Sequence, residues 1–89
     1  MPTVTLELPS MIATVLGGVR RIEVEGGTCH EALEDAFTRH PGLRVHVFDE
    51  NGALRQHVLC FVNEDRWDVL DKELAEGDTI TILQAVSGG

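Results

Sequence analysis

The residues best suited to chemistry in this 89-residue chain are the last two, Gly88 and Gly89. A Gly-Gly end carries no Cβ, so it can thread a narrow channel and present an unhindered carboxyl carbon to another enzyme. A terminal carboxyl group ordinarily titrates at about 3.3–3.7, so it is ionised and inert at neutral pH and something else must activate it. Ala85, Val86 and Ser87, just upstream, have small side chains that suit the same passage. Extended, Ala85 to Gly89 reaches about 17 Å, which spans the depth of an enzyme cleft. The plain alternative is a frayed terminus with no role.

Other reactive side chains give weaker patterns. Cys29 and Cys60 show no paired spacing and are read as reduced thiols. Cys29 falls at an expected helix N-terminus, where a thiol pKa can drop and the thiol could form a thioester or be oxidised; the expectation is a tolerated surface residue. Cys60 reads as a small core hydrophobe. His30, His40, His46 and His57 lack a zinc spacing such as H-E-x-x-H, so no metal is expected. Glu31, Glu34 and Asp35 fall on one polar helix face and are read as solvated. There is no nucleophile elbow for hydrolysis. No phosphate-binding glycine loop followed by Lys and Ser or Thr is present, so any ATP must be handled by a partner and no cofactor is expected on this chain.

Those residues need elements to position them. Thr3 to Leu8 alternates, with Val4, Leu6 and Leu8 on one face, as a half-buried strand does. Pro9-Ser10 ends it. A second alternating run, Val19 to Glu25, follows Gly17-Gly18, which supplies a turn for a hairpin. After Gly26-Gly27, Thr28 and Glu31 form a capping-box pattern. Ala32, Leu33, Ala36 and Phe37 then make one apolar helical stripe, stopped by His40-Pro41-Gly42. Leu43 to Phe48 is expected to hold a short extended piece and Glu50-Asn51-Gly52 a turn. His57 to Asn63 reads as the central strand, Trp67 to Leu74 as a short helical turn with Trp67 a core or rim anchor, and Thr79 to Leu83 as the last strand. Strand, strand, helix, then strands supports an α+β fold: a mixed sheet covered on one face by one main helix.

Composition sets limits. The formal net charge is -8, which leaves no basic patch to displace counterions from nucleic acid or to bind an anionic membrane. An acidic chain is instead steered towards a partner with a basic docking face. The longest early apolar stretch, Met11 to Leu16, is far short of the ~20 residues of a spanning helix and has no positive cluster before it. The cytoplasm is the expected location. The length fits one domain.

The chain resembles the ThiS/MoaD family of ubiquitin-like sulfur carriers over essentially its whole length. The resemblance is carried by Thr3-Val4-Thr5-Leu6, Gly27-Thr28, His40-Pro41-Gly42-Leu43, His57-Val58 and Phe61-Val62-Asn63. Gly77-Asp78-Thr79-Ile80-Thr81-Ile82-Leu83 and Ala85-Val86-Ser87-Gly88-Gly89 complete it. Gln84 stands where many members carry proline. The resemblance implies a β-grasp, ubiquitin-like domain over residues 1–83, with the last strand parallel to the first, and a flexible tail over 84–89. It implies a substrate and carrier, not a catalyst. A ubiquitin-activating-like enzyme would use ATP to adenylate Gly89, a sulfur donor would convert it to a thiocarboxylate, and a downstream sulfur-acceptor enzyme would take the sulfur. Cysteine, molybdenum cofactor, thiamine and specialised metabolites are the family's destinations. The family pattern also turns Val58, Cys60 and Val62 towards the helix. Leu59 and Phe61, with Leu83, would then form an exposed docking patch, unless the loop from Leu43 to Leu54 folds over them. A monomer is expected.

Two other functions fit the same tail. One is a ubiquitin-like modifier joined to lysines through Gly89, although Lys72 is the chain's only lysine and leaves little scope for polymer building. The other is an inert β-grasp binding module. The fate of Gly89, as thiocarboxylate, amide or unchanged acid, separates them.

Overall fold

A computed structural model describes residues 1–67 and 69–85. Among them, a five-stranded mixed sheet carries one principal helix on one face. β1 (Thr3–Glu7) pairs antiparallel with β2 (Arg21–Glu25), with Leu6 opposite Ile22 and Glu7 opposite Arg21. The connection is not a bare turn. After Pro9 the chain forms α1 (Ser10–Ala13) and a 3₁₀ turn, Thr14–Leu16, which bury Ile12 and Ala13 before the reversal. Gly17 (φ 70°) and Gly18 (φ 96°) then take left-handed angles that favour glycine, as expected of the turn. β2 starts two residues later than the expected Val19, because Val19 and Arg20 still belong to this connection.

α2 (Cys29–Arg39) begins at the expected cap. Thr28 Oγ1 accepts the Glu31 N–H at 3.2 Å, and Glu31 Oε1 accepts the Gly27 N–H at 2.9 Å, one residue before the position a standard capping box uses. Its buried stripe is Cys29, Ala32, Leu33, Ala36 and Phe37. The helix ends at His40 and Pro41 opens a 3₁₀ turn, Pro41–Leu43. Here the expected extended piece is overturned: Arg44–Val47 is a short helix, α3. Tertiary packing decides it, because a helical turn puts Leu43 and Val47 into the core together and delivers Phe48 edge-on to Phe37, ring centroids 4.9 Å apart.

β3 (Val58–Val62) and the two-residue β4 (Asp65–Arg66) follow. The expected helical turn after Trp67 is absent from the described residues there. That stretch instead lies against the start of α2, where Leu70 and Lys72 carbonyls accept the His30 and Cys29 N–H groups and the Leu74 N–H donates to Gly27. Trp67 packs half-buried against the core, as a rim anchor. β5 (Thr79–Gln84) runs one residue past the expected end and pairs parallel with β1 and antiparallel with β3. The strand order is β2-β1-β5-β3-β4, so the centre of the sheet belongs to β5 and not to the His57 to Asn63 strand. The parallel pair needs a crossover, and α2 supplies it.

Val4, Leu6, Val24, Val58, Cys60, Val62, Ile80 and Ile82 are buried on the helix side. The predominantly aliphatic core follows from a sequence with three Phe and one Trp.

Candidate functional site

The described chain ends one residue after β5. Its pairing continues beyond the strand: the Ala85 N–H donates to the His57 carbonyl at 2.7 Å. His57 has φ 71°, in the left-handed region, and this sets its carbonyl at the entrance to β3. Ala85 itself is exposed. Val86, Ser87, Gly88 and Gly89 lie outside the described residues.

The proposed docking residues do come together. Leu59 and Leu83 are register partners across β3 and β5, and Phe61 stands opposite Thr81 on the same face. Val58, Cys60 and Val62 point to the helix side and are buried, which is the expected division of β3. Leu59 and Phe61 are half-buried and Leu83 is 43% exposed. The Leu43 to Leu54 stretch sends Leu43, Val47 and Phe48 into the core, Phe48 stacking on His30 and meeting Phe37 edge-on, both from α2. Those three side chains are thus committed to the helix side of the sheet, opposite Leu59 and Phe61.

Sequence reasoning missed the basic wall of this region. A groove of about 270 Å³ lies beside Leu83 and Thr81 and is bounded by Pro9, Arg20 and Arg21. Arg21 also pairs with its cross-strand partner Glu7. The only sequence signal was the adjacent pair Arg20-Arg21 in an otherwise acidic chain, and its nearness to Leu83 depends on β1 lying between β2 and β5.

The cysteines depart from expectation. Cys29 is fully buried, not a surface residue, and its Sγ lies 3.4 Å from Cys60 Sγ. The first turn of α2 faces the sheet, so the helix start is covered by the Leu70 to Leu74 stretch. The hydrogen bond from Cys60 lowers the Cys29 thiol pKa, with burial opposing it. The same hydrogen bond, burial and the Cys29 charge push the Cys60 thiol well up. Cys60 is the core residue the sequence implied. Among the described residues no cluster of His, Cys, Asp and Glu has the arrangement of a metal site, and no helix is long and apolar enough to cross a membrane.

Comparison with known proteins agrees with this architecture. The ThiS family model matches residues 12–89. The sulfur carrier protein CysO of Mycobacterium tuberculosis is 30% identical, with 97% of this chain and 98% of that protein covered. The crystal structure of SAMP1 from Haloferax volcanii superposes with a TM-score of 0.85 at 30% identity, covering 98% of this chain and 99% of that one. In the crystal structure of the Amycolatopsis orientalis BexX/CysO complex, the matching chain is 34% identical with a TM-score of 0.85, covering 97% of this chain and 99% of that one. These neighbours share the β-grasp fold.

Proposed function

This chain belongs to the ThiS family, and from that premise we propose that it is a sulfur carrier whose working group is the Gly89 carboxylate. The observation that carries the reading is the position of Ala85, the last described residue before the Gly-Gly end. The Ala85–His57 bond holds the chain at the sheet end, beside the Leu59, Phe61 and Leu83 patch. A partner that docks on that face receives residues 86–89 in its cleft.

The chemistry follows from the carboxylate. As an anion it resists nucleophiles, so a ubiquitin-activating-like enzyme joins it to the AMP part of ATP and releases pyrophosphate. A sulfur nucleophile then displaces AMP and leaves a thiocarboxylate on Gly89. This chain supplies the acyl group, and the partner supplies the nucleotide site. Val86, Ser87 and Gly88 let the end thread without side-chain obstruction, while Ala85, expected in the tail, stays bonded to His57 at the sheet end. A downstream acceptor enzyme takes the sulfur. The chain is a substrate in this scheme and not an enzyme, as its CysO relatives are carriers by name. The Amycolatopsis CysO seen together with BexX is a precedent for a chain of this fold engaging another protein.

A second reading rests on another relative, the small archaeal modifier protein 1 of Haloferax volcanii. By that reading Gly89 ends as an amide on a target lysine. One experiment separates the two. The chain is incubated with its activating enzyme, ATP and sulfide, weighed intact and fragmented. The carrier reading expects one oxygen replaced by sulfur on the Gly89 fragment. An unchanged mass beside a demonstrably active enzyme overturns it, and Gly-Gly remnants on cellular lysines would then support the modifier.

A further inference from the structure

Cys29 opens α2, and Cys60 sits in the middle of β3, so the two thiols belong to opposite layers of the fold. They are 31 residues apart in sequence and 3.4 Å apart in space, with both side chains fully buried. Each is the other's hydrogen-bond partner. We infer that Cys29 and Cys60 are an oxidisable dithiol, a modification site inside the core that hydrogen peroxide closes to an intramolecular disulfide.

Cys29 is the attacking sulfur. The thiol contact with Cys60 favours its thiolate, while Cys60 holds its own proton firmly. The Cys29 thiolate attacks one peroxide oxygen and the O–O bond breaks. The departing hydroxide takes a proton and leaves as water, and Cys29 becomes a sulfenic acid. The Cys60 sulfur then attacks the Cys29 sulfur. The S–O bond breaks, hydroxide leaves and takes the Cys60 proton as a second water, and the S–S bond forms. The two thiols lose two electrons together, and the peroxide is reduced to two waters. The close second thiol makes this resolution faster than further oxygenation, because the partner is already in place.

Access runs through the covering stretch. Backbone bonds from Cys29 and His30 to Lys72 and Leu70, and from Leu74 to Gly27, are what close it over the helix start. Those short, irregular contacts belong to the part of a fold that opens locally at lower cost than the sheet. Peroxide is small enough to use such an opening, whereas a bulky disulfide reagent must form a mixed disulfide inside the core. The bridge joins α2 to β3 across the core and constrains the unfolded chain between them. A loop of this length is expected to raise Tm by roughly 10 °C or more. The inference does not depend on the sulfur-carrier reading, since neither thiol belongs to the tail.

The test uses the full chain, reduced and then treated with hydrogen peroxide, both in buffer and in urea just below the unfolding transition. The expected result is a monomer lighter by two hydrogen atoms. Its digest contains the Cys29 peptide linked to the Cys60 peptide, and its Tm is raised until a reductant returns it to the starting value. Cys60→Ala is expected to abolish the mass loss, and Cys29→Ala provides the same test should the first variant fold poorly. Addition of oxygen atoms in place of the bridge, disulfide-linked dimers, no reaction in either solution, or a bridged chain that melts below the reduced one would each overturn the inference.

Discussion

Asn63 and Asp78 clamp the end of β3 to the beginning of β5. The Asn63 side-chain amide donates to Asp78 Oδ1 at 3.2 Å, and its oxygen accepts the Thr79 N–H at 3.1 Å. The Asn63 N–H donates to the Thr79 carbonyl at 2.7 Å, with Asn63 at φ 55°. Asn tolerates that left-handed angle better than most residues. Asp78 Oδ2 accepts the Ala75 N–H at 2.9 Å, which ties the preceding turn to the same carboxylate.

The clamp makes stability pH-dependent. The Ala75 N–H first, then the Asn63 amide, hold the Asp78 carboxyl below the usual carboxylate range, with a smaller contribution from Lys72. A carboxylate whose pKa is lowered by folding stabilises the fold fully above its unfolded pKa of about 3.9, and that contribution fades as pH falls through the folded value. Urea unfolding of the wild type and Asp78→Asn is therefore expected to differ at pH 7 and to converge on acidification below about pH 4. A gap of constant size across that range would assign the effect to packing alone.

Gly26 is expected to tolerate no side chain. It is buried, and a Cβ built on it would lie 2.3 Å from the Ala32 nitrogen and 2.7 Å from its Cα. Both are backbone atoms of α2 and cannot rotate away. Gly26→Ala should cost about 1–3 kcal/mol, in the range of overpacked cores, or more if α2 shifts. Gly52→Ala is a useful contrast: its Cβ meets nothing within 4 Å, but its φ of 80° makes the strain purely conformational. Urea denaturation of both variants should rank Gly26→Ala as the more damaging.

Much of this fold was legible because neighbouring residues announce it. Thr28 and Glu31 fix the helix start within one turn, and the alternation in Thr3 to Leu8 fixes which side of that strand is buried, while in His57 to Asn63 both faces are apolar and the resemblance chose between them. What stayed hidden depends on partners distant in sequence. Leu43 to Phe48 looks extended by its β-branched and aromatic content, yet Phe37 draws Phe48 in and a helical turn delivers it. Cys29 looked like a surface residue because its cover is the Leu70 to Leu74 stretch, some 40 residues on. The strand order followed the resemblance in its parallel β1–β5 pair, but the central place of β5 is a property of pairing, not of any one segment. For the site, alternation divided β3 into two faces and the family resemblance named Leu59, Phe61 and Leu83 as the exposed one, whereas neither pointed to Arg20 and Arg21 beside it.

The carrier reading makes a sharp demand on the terminus. Deleting Gly89, or Gly89→Ala, should abolish thiocarboxylate formation in the mass assay and leave Tm unchanged. The reason is local: the carboxyl carbon must sit at one fixed depth, and a Cβ next to it obstructs the channel that glycine passes. Thiocarboxylate formed at the normal rate on the shortened chain would remove Gly89 from its role.

The open face of the sheet makes the last demand. Phe61 is half-buried opposite Thr81, and Leu59 and Leu83 face each other beside it. If an activating enzyme docks there, Phe61→Asp places a charge where the partner's apolar surface must dehydrate it. Affinity should fall at least tenfold, about 1.4 kcal/mol. The fold should survive, because Phe61 stands outside the buried helix-side set of Val58, Cys60 and Val62. Val45→Asp is the control, since Val45 is 60% exposed on α3, away from the patch, and its charge should leave binding as it was. Calorimetric titration of each folded variant with the activating enzyme reads both effects. Equal losses in the two variants would mean that an added charge weakens binding wherever it is placed, and the patch would lose its special role. A loss confined to Phe61→Asp would locate the contact on β3 and β5, the strands whose pairing also holds Ala85, four residues before the Gly89 carboxylate that the carrier reading requires.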